Sequence, residues 1–240
     1  MCTLVPVGWC LVFLPNPINW ADFNGGYLLI LMFALTVKII LAYLLGSVSG
    51  SLLLGKLKKV DIRRQGSGNA GGTNAFRTQG LLFAIGVVLI DVGKGFIAAW
   101  WIPAIDFGGS TFALDPRILI MACGFAAVVG HCFPIWHGFR GGKGAATAVG
   151  ALIVIEPWLL LPLIVTWLVV LVMTGYVGLA TVTTGFSLVP ATWLISDPAT
   201  LVFSVILALF LLFTHRGNMR NLRAGKEYRF ERVYLFSRKR

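Results

Sequence analysis

Between Arg63-Arg64 and Arg77 the chain runs Gly66-Ser67-Gly68-Asn69-Ala70-Gly71-Gly72-Thr73-Asn74. Glycine lets backbone N–H groups approach a ligand closely, and hydroxyl, amide and guanidinium groups add further donors, so the chemistry of this stretch is anion binding, with a phosphate as the natural guest. A second basic glycine loop follows, Gly138-Phe139-Arg140-Gly141-Gly142-Lys143-Gly144. It is not a nucleotide-triphosphate loop of the form G-x-x-x-x-G-K-[ST]: the first required glycine falls on His137, and Gly144 replaces the hydroxyl that would hold magnesium. What remains is a lysine offered from a turn that opens an apolar stretch, where a helix N-terminus adds its own attraction for an anion.

Other polar residues stand out because their surroundings are apolar. Asp91 and Lys94 lie three residues apart near the middle of an apolar stretch, on one face of a helix, where each must pair or face a polar interior. Either a mutual ion pair pins the helix, or the pair supports a site. Lys38 has no partner within a turn and is expected to snorkel to the outer surface. His131 and His215 sit at the ends of apolar stretches and His137 lies inside the second loop. None is followed five residues later by Asp, so the H-x-x-x-x-D acyltransferase signature is absent, as is any G-x-S-x-G elbow. The four cysteines, Cys2, Cys10, Cys123 and Cys132, form no metal-ligand spacing with the histidines and read as free thiols in apolar surroundings.

The elements that must carry these residues are membrane helices. Hydrophobic residues make up 58% of the 240 and charged ones 12%, with a mean hydropathy of +0.86, which defines an integral membrane protein. A net charge of +11 beside such spans excludes nucleic acid and points to anionic lipid or an anionic substrate. Apolar stretches at 28 to 57, 81 to 101, 118 to 133, 144 to 155, 158 to 174, 178 to 195 and 200 to 213 predict seven transmembrane helices in an all-α fold, three of them short. The loops after the first, third and fifth spans and the C-terminal tail then hold 17 of the 20 basic residues, all but Lys38, Lys94 and Arg117. By the positive-inside rule the N-terminus lies outside, and the C-terminus and both glycine loops are cytoplasmic. Residues 1–26 form an extension of unclear role, interrupted by Pro6, Pro15 and Pro17 and lacking the leading basic residue of a signal peptide; 27–230 form the spanning domain, and 231–240 a basic tail.

Three stretches in order carry a resemblance: Gly66-Ser67-Gly68-Asn69 with Gly71, Thr73-Asn74 and Arg77; Gly130-His131 with Phe133-Pro134, Gly138 to Gly144 and Ala146-Thr147; and His215-Arg216 with Asn218, Gly225 and Glu227. With Asp91-Val92-Gly93-Lys94-Gly95 and Tyr43-Leu44-Leu45-Gly46-Ser47, they resemble the bacterial acyl-phosphate:glycerol-3-phosphate acyltransferases, the PlsY family, over residues 36 to 230. The resemblance implies a seven-span enzyme of the bacterial inner membrane that moves a fatty acyl group from acyl phosphate to the 1-hydroxyl of glycerol 3-phosphate. The products would be lysophosphatidate and phosphate, made for phospholipid biosynthesis without metal, cofactor or obligate protein partner, at a site facing the cytoplasm among membrane lipids. Carried over by position, Ser67, Asn69 and Lys143 hold the donor phosphate, and Arg77, Lys143, Thr181, His215 and Asn218 line the glycerol phosphate site. Lys143, His215 and Asn218 are the catalytic candidates. Gly68, Thr73, Asn74, His131, Gly141, Gly142, Gly144, Thr147 and Glu227 are expected to line substrate, with Asp91 and Lys94 in support. The chain departs from the family pattern at Gly178, where serine is common, and at Asn221, where arginine is common; Thr181 keeps a hydroxyl. The sequence does not choose between His215 and a substrate phosphate as the base. The rival class, a transporter or binder of organic phosphates, predicts polar groups on both sides and at the midplane, whereas these motifs are one-sided.

Overall fold

The computed structural model describes residues 3–7, 10–14, 25–107, 115–231 and 233–235. A short antiparallel hairpin pairs Thr3–Val7 (β1) with Cys10–Leu14 (β2), within the extension that the sequence leaves without a role. From residue 25 on, every regular element among the described residues is helical: α1 Gly25–Gly46, α2 Gly50–Leu57, α3 Gly72–Gln79, α4 Leu81–Trp100, α5 Pro116–Cys132, α6 Ala145–Ile155, α7 Leu160–Thr174, α8 Val177–Ile195, α9 Pro198–Thr214 and α10 Arg216–Arg223, with short 3-10 turns between some of them.

Among the described residues, five helical segments are long and apolar enough to cross a membrane, and six if α9 and α10, bent by 57°, count as one. The remaining apolar helix, α6, has 11 residues. Six of the seven apolar stretches match these helices within two residues or so. The first does not. It stops at Gly46, and α2 restarts at Gly50 after the break at Ser47-Val48-Ser49. A broken helix in an apolar setting leaves backbone groups without partners. Here Asp91 Oδ1 accepts from the Gly50 amide at 3.1 Å and Lys94 Nζ donates to the Val48 carbonyl at 2.6 Å, so two charged side chains of α4 satisfy the break.

The chain divides into two compact units, residues 1–142 with 146–157, and 143–145 with 158–240. In the first, helices meet at glycines so closely that a methyl group would collide with backbone. A Cβ on Gly46 would lie 2.2 Å from the Ala127 carbonyl oxygen and one on Gly130 2.2 Å from that of Tyr43, which brings α1 against α5. Gly95 and Gly150 do the same between α4 and α6, at 2.1 Å from Thr147 O and 2.0 Å from Val92 O. Van der Waals contact through small residues is the usual glue of helices in lipid, where no hydrophobic drive separates core from surroundings. Small side chains fill this core, among them Ala42, Ala98, Cys123, Ala126 and Ala127, and a second cluster of Ile62, Ala75, Phe83, Ala84 and Val87 supports the loop before α3.

Lys38 corrects the sequence expectation. It is 2% exposed and Nζ donates to the Pro103 carbonyl at 2.9 Å, because the carbonyls at the frayed end of α4 supply the acceptor that α1 lacks. Cys123 and Cys132 are buried free thiols, as expected; the side chains of Cys2 and Cys10 lie outside the described residues.

In the second unit α8 packs on α7 and α9, with Trp167 Nε1 donating to Thr181 Oγ1 at 3.2 Å and Gly185 admitting Leu211 and Ala208. Asp197 caps α9 through the amides of Ala199 and Thr200, and Pro198 sits in the first turn, where its missing N–H costs nothing. Beyond α10 the chain turns back on the α7–α8 corner: the Phe230 amide donates to Gly175 O at 2.8 Å and that of Leu235 to Val172 O at 2.9 Å. Arg229 closes the corner, its guanidinium 4.9 Å from the Tyr176 ring centre and 4.2 Å from that of Tyr234.

Candidate functional site

The first glycine loop is built around Asn74, a residue 1% exposed. Its Oδ1 accepts from the Ser67 amide at 2.9 Å, and its Nδ2 donates to the carbonyls of Ile62 and Gln65 at 3.1 and 3.0 Å. Both ends of the amide are therefore committed to holding the loop, a scaffolding role that the sequence pattern does not distinguish from substrate contact. Gly66 and Gly68 adopt left-handed φ of 55° and 72°, conformations that favour glycine. Ser67 and Gly68 are exposed, while Asn69, Thr73 and Arg77 are half-buried. The loop ends at Gly71, which caps α3 without a side-chain hydrogen bond, so the first-turn amides of α3 have no side-chain capping group.

Asp61 fixes the other end. It accepts from the Arg63 amide at 3.0 Å and grips the guanidinium through Nε at 3.1 Å and Nη2 at 3.0 Å, and the hydrogen bond from Arg63 holds the Asp61 carboxyl below the usual range. The remaining nitrogen, Nη1, donates to the His137 carbonyl at 3.0 Å, so this fork ties the first glycine loop to the second.

The second loop differs from the anion cradle that its glycines suggest. The Gly141 amide donates to Cys132 O and that of Gly142 to His131 O, both at 3.1 Å, so these two N–H groups are spent on the end of α5. The glycines serve close approach instead: a Cβ on Gly141 would lie 2.0 Å from His131 O, and one on Gly142 2.0 Å from His131 Nε2 and 2.9 Å from Ala70 O. Gly144 has a φ of +89° and is buried just before α6 begins.

Beneath this turn lies a buried cluster. Lys94 Nζ is 3.0 Å from Asp91 Oδ1, as the three-residue spacing predicts, and 2.8 Å from His131 Nδ1, with Asp91 Oδ1 and His131 Nδ1 3.4 Å apart. All three are at most 3% exposed. The sequence paired Asp91 with Lys94 but not with His131, which lies 37 residues beyond Lys94, a separation at which no local spacing rule operates. Thr147 is fully buried in the α4–α6 contact, its backbone carbonyl against Gly95.

In the second unit, Lys143 Nζ donates to Asn218 Oδ1, and Asn218 Nδ2 donates to Glu227 Oε1 at 2.6 Å. The carboxylate can only accept, so it orients the Asn218 amide with its oxygen toward the ammonium. Thr214 Oγ1 donates to the Lys143 carbonyl at 2.9 Å. His215, one residue past α9 and 5% exposed, has Nδ1 2.8 Å from Leu211 O. A carbonyl only accepts, so the proton sits on Nδ1 and the Nε2 lone pair is available. Burial, and then the Lys143 charge, push the His215 pKa down to about 4, so it is neutral near pH 7. Thr181 Oγ1 donates to Val177 O at 3.0 Å while accepting from Trp167. The departure at Gly178 has a packing counterpart: a Cβ there would lie 2.7 Å from Asn218 Cβ. Asn221 is exposed on α10 and its carbonyl accepts from the Lys226 amide at 2.8 Å.

Of the expected site residues, the structure thus gathers Ser67, Gly68, Asn69, Thr73, Asn74 and Arg77 around one loop, Asp91, Lys94, His131, Gly141 and Gly142 around one buried cluster, and Lys143, His215, Asn218 and Glu227 around one polar relay. Among the described residues no group of three or more His, Cys, Asp or Glu could hold a metal ion.

Residues 36–225 match the glycerol-3-phosphate acyltransferase family. The glycerol-3-phosphate acyltransferase of Aquifex aeolicus is 36% identical over 193 residues, covering 80% of this chain and 97% of that protein. Among solved structures, the integral membrane glycerol 3-phosphate acyltransferase PlsY in its glycerol 3-phosphate form superposes with a TM-score of 0.73 at 32% identity, covering 82% of this chain and 95% of that one. Its lysophosphatidic acid form gives 0.71 over the same shares. A match of this extent shows that the chain belongs to the glycerol-3-phosphate acyltransferase family of integral membrane enzymes.

Proposed function

We propose that the chain transfers a fatty acyl group from acyl phosphate to the 1-hydroxyl of glycerol 3-phosphate, releasing lysophosphatidate and phosphate. The observation that carries the reading is the relay from Glu227 through Asn218 to Lys143 beside a neutral His215: a fixed cation and a proton acceptor. Acyl phosphate is already activated, so the hydroxyl oxygen of glycerol phosphate can attack the carbonyl carbon directly. The bond from that carbon to the bridging oxygen breaks, and phosphate departs with the electron pair. The hydroxyl proton goes to His215 Nε2 or to a phosphate oxygen. Positioning and charge neutralisation supply most of the rate.

On the family resemblance alone, Ser67, Asn69 and Lys143 hold the donor phosphate. Arg77, Lys143, Thr181, His215 and Asn218 receive glycerol 3-phosphate, the molecule named for the solved PlsY form. Asn74, Gly141, Gly142 and Glu227 shape the loops and the relay rather than touch substrate. Residues 27–230 form one domain of seven spans in the bacterial inner membrane, with the N-terminus outside and the basic loops and tail, α10 included, cytoplasmic; α6 and α9 supply the spans beyond the five long ones.

The test is donor choice. Purified protein is expected to form lysophosphatidate from palmitoyl phosphate and glycerol 3-phosphate without added metal, while palmitoyl-CoA gives none. Efficient turnover of the thioester, or glycerol phosphate transport without acylation, would sink the proposal.

A further inference from the structure

The Asp91–Lys94–His131 cluster holds three ionisable groups that the acyl transfer does not itself require. Lys94 Nζ meets three acceptors: Val48 O at 2.6 Å, Asp91 Oδ1 at 3.0 Å and His131 Nδ1 at 2.8 Å. An ammonium has three hydrogens and no lone pair, so all three are used, and Nδ1 must accept. The single carboxylate balances one positive charge, and the three acceptors arranged around Nζ assign that charge to the lysine. The imidazole is then neutral with its hydrogen on Nε2. That nitrogen is the ring atom packed closest against Gly142, at a point where an added Cβ would also come within 2.9 Å of the Ala70 carbonyl. Ala70 belongs to the first glycine loop and Gly142 to the second, so Nε2–H lies where the two loops adjoin. The ring is held in this orientation by the bond from Lys94 to Nδ1 and by its packing against Gly142.

We propose that Asp91 and Lys94 are positioning residues that lock His131 in the Nε2–H tautomer, and that this N–H is a fixed donor to the phosphoryl oxygens of the acyl donor at the junction of the two glycine loops. The inference rests on the acyl-phosphate reading for the identity of the anion, but not for the tautomer. A neutral donor suits this place. An imidazolium would compete with Lys94 for Asp91, and the opposite tautomer would set two hydrogens against each other at Nδ1. Asp91 and Lys94 have a second duty in satisfying the Val48–Gly50 break, which ties that break to His131 at the end of α5.

The tautomer is read by nitrogen NMR of the full-length protein in detergent, labelled at histidine. The His131 signal, assigned by its loss in His131→Gln, is expected to show an unprotonated Nδ1 and a protonated Nε2 at pH 7. A proton on Nδ1, or on both nitrogens, overturns the lock. The donor role is read by kinetics on two variants. His131→Gln places an amide N–H at the distance of Nε2 and is expected to keep turnover within about tenfold, whereas His131→Asn ends at the position of Nδ1 and is expected to lose about a hundredfold in kcat/KM for palmitoyl phosphate, with KM for glycerol 3-phosphate little changed. Equal losses in the two variants, or a loss falling on glycerol 3-phosphate alone, overturn the donor role. If palmitoyl phosphate proves not to be a substrate, the function proposal fails while the NMR result still decides the lock.

Discussion

Replacing Gly142 by alanine adds one methyl group at the most crowded point of the second loop. The new Cβ would lie 2.0 Å from His131 Nε2, 2.8 Å from His131 Cε1 and 2.9 Å from Ala70 O. Carbon and nitrogen rest at about 3.5 Å, so one side must retreat by about 1.5 Å. The His131 ring is held by Lys94, and the Gly142 amide is hydrogen-bonded to the His131 carbonyl, so the relief left is for the loop to lift. Lifting forfeits the Gly142–His131 bond, worth about 1 kcal/mol, and moves the residue next in the chain, Lys143. A displacement of about 1 Å at a positioned charge can cost about a hundredfold in rate, so Gly142→Ala is expected to lose at least that in turnover while its melting temperature in detergent falls by only a few degrees. Gly138→Ala is the control. Its φ is +65° with nothing within 4 Å of the added Cβ, so it costs about 1 to 2 kcal/mol of backbone strain and moves no neighbour. Phosphate release from palmitoyl phosphate, measured beside thermal unfolding, separates the two. Gly142→Ala with turnover within threefold of the wild type would refute the reasoning.

Lys143→Ala is expected to reduce transfer by about a thousandfold with the protein folded, and Lys143→Arg to recover little, because a planar fork does not replace a compact ammonium; near-normal turnover in the alanine variant would reduce this lysine to a topological anchor. His215, held well below its usual 6.5, is expected to titrate near pH 4 by histidine NMR, and higher in Lys143→Ala, where one of the two depressing causes is gone. Its depressed value means that its contribution to stability is complete above pH 6.5 and is lost as pH falls toward 4, so a stability loss from this residue confined to pH above 6.5 would contradict the sign. A reporter fused at the C-terminus should be active only in the cytoplasm and one at the N-terminus only outside; both reporting from one side would end the seven-span proposal.

Composition and local order were enough for the class and for the loops that carry the candidate residues. An apolar run must form its backbone hydrogen bonds internally in lipid, so the helices appear in the sequence as stretches that the structure matches within two residues or so from 81 onward. The glycine loops are legible for a similar reason: left-handed φ at Gly66, Gly68 and Gly138, and backbone contact at Gly141 and Gly142, restrict the residue type at the position itself. Tertiary structure decided what depends on partners distant in the chain. The first apolar run is broken because Asp91 and Lys94, some forty residues on, satisfy the opened backbone, and no property of residues 28 to 57 alone announces that. Lys38 is buried because Pro103 offers a carbonyl, Asn74 is committed to its loop by two carbonyls and an amide, and the second loop's amides are consumed by α5. A residue's type states which hydrogen bonds it can make, and the fold alone determines which of them remain available to a ligand.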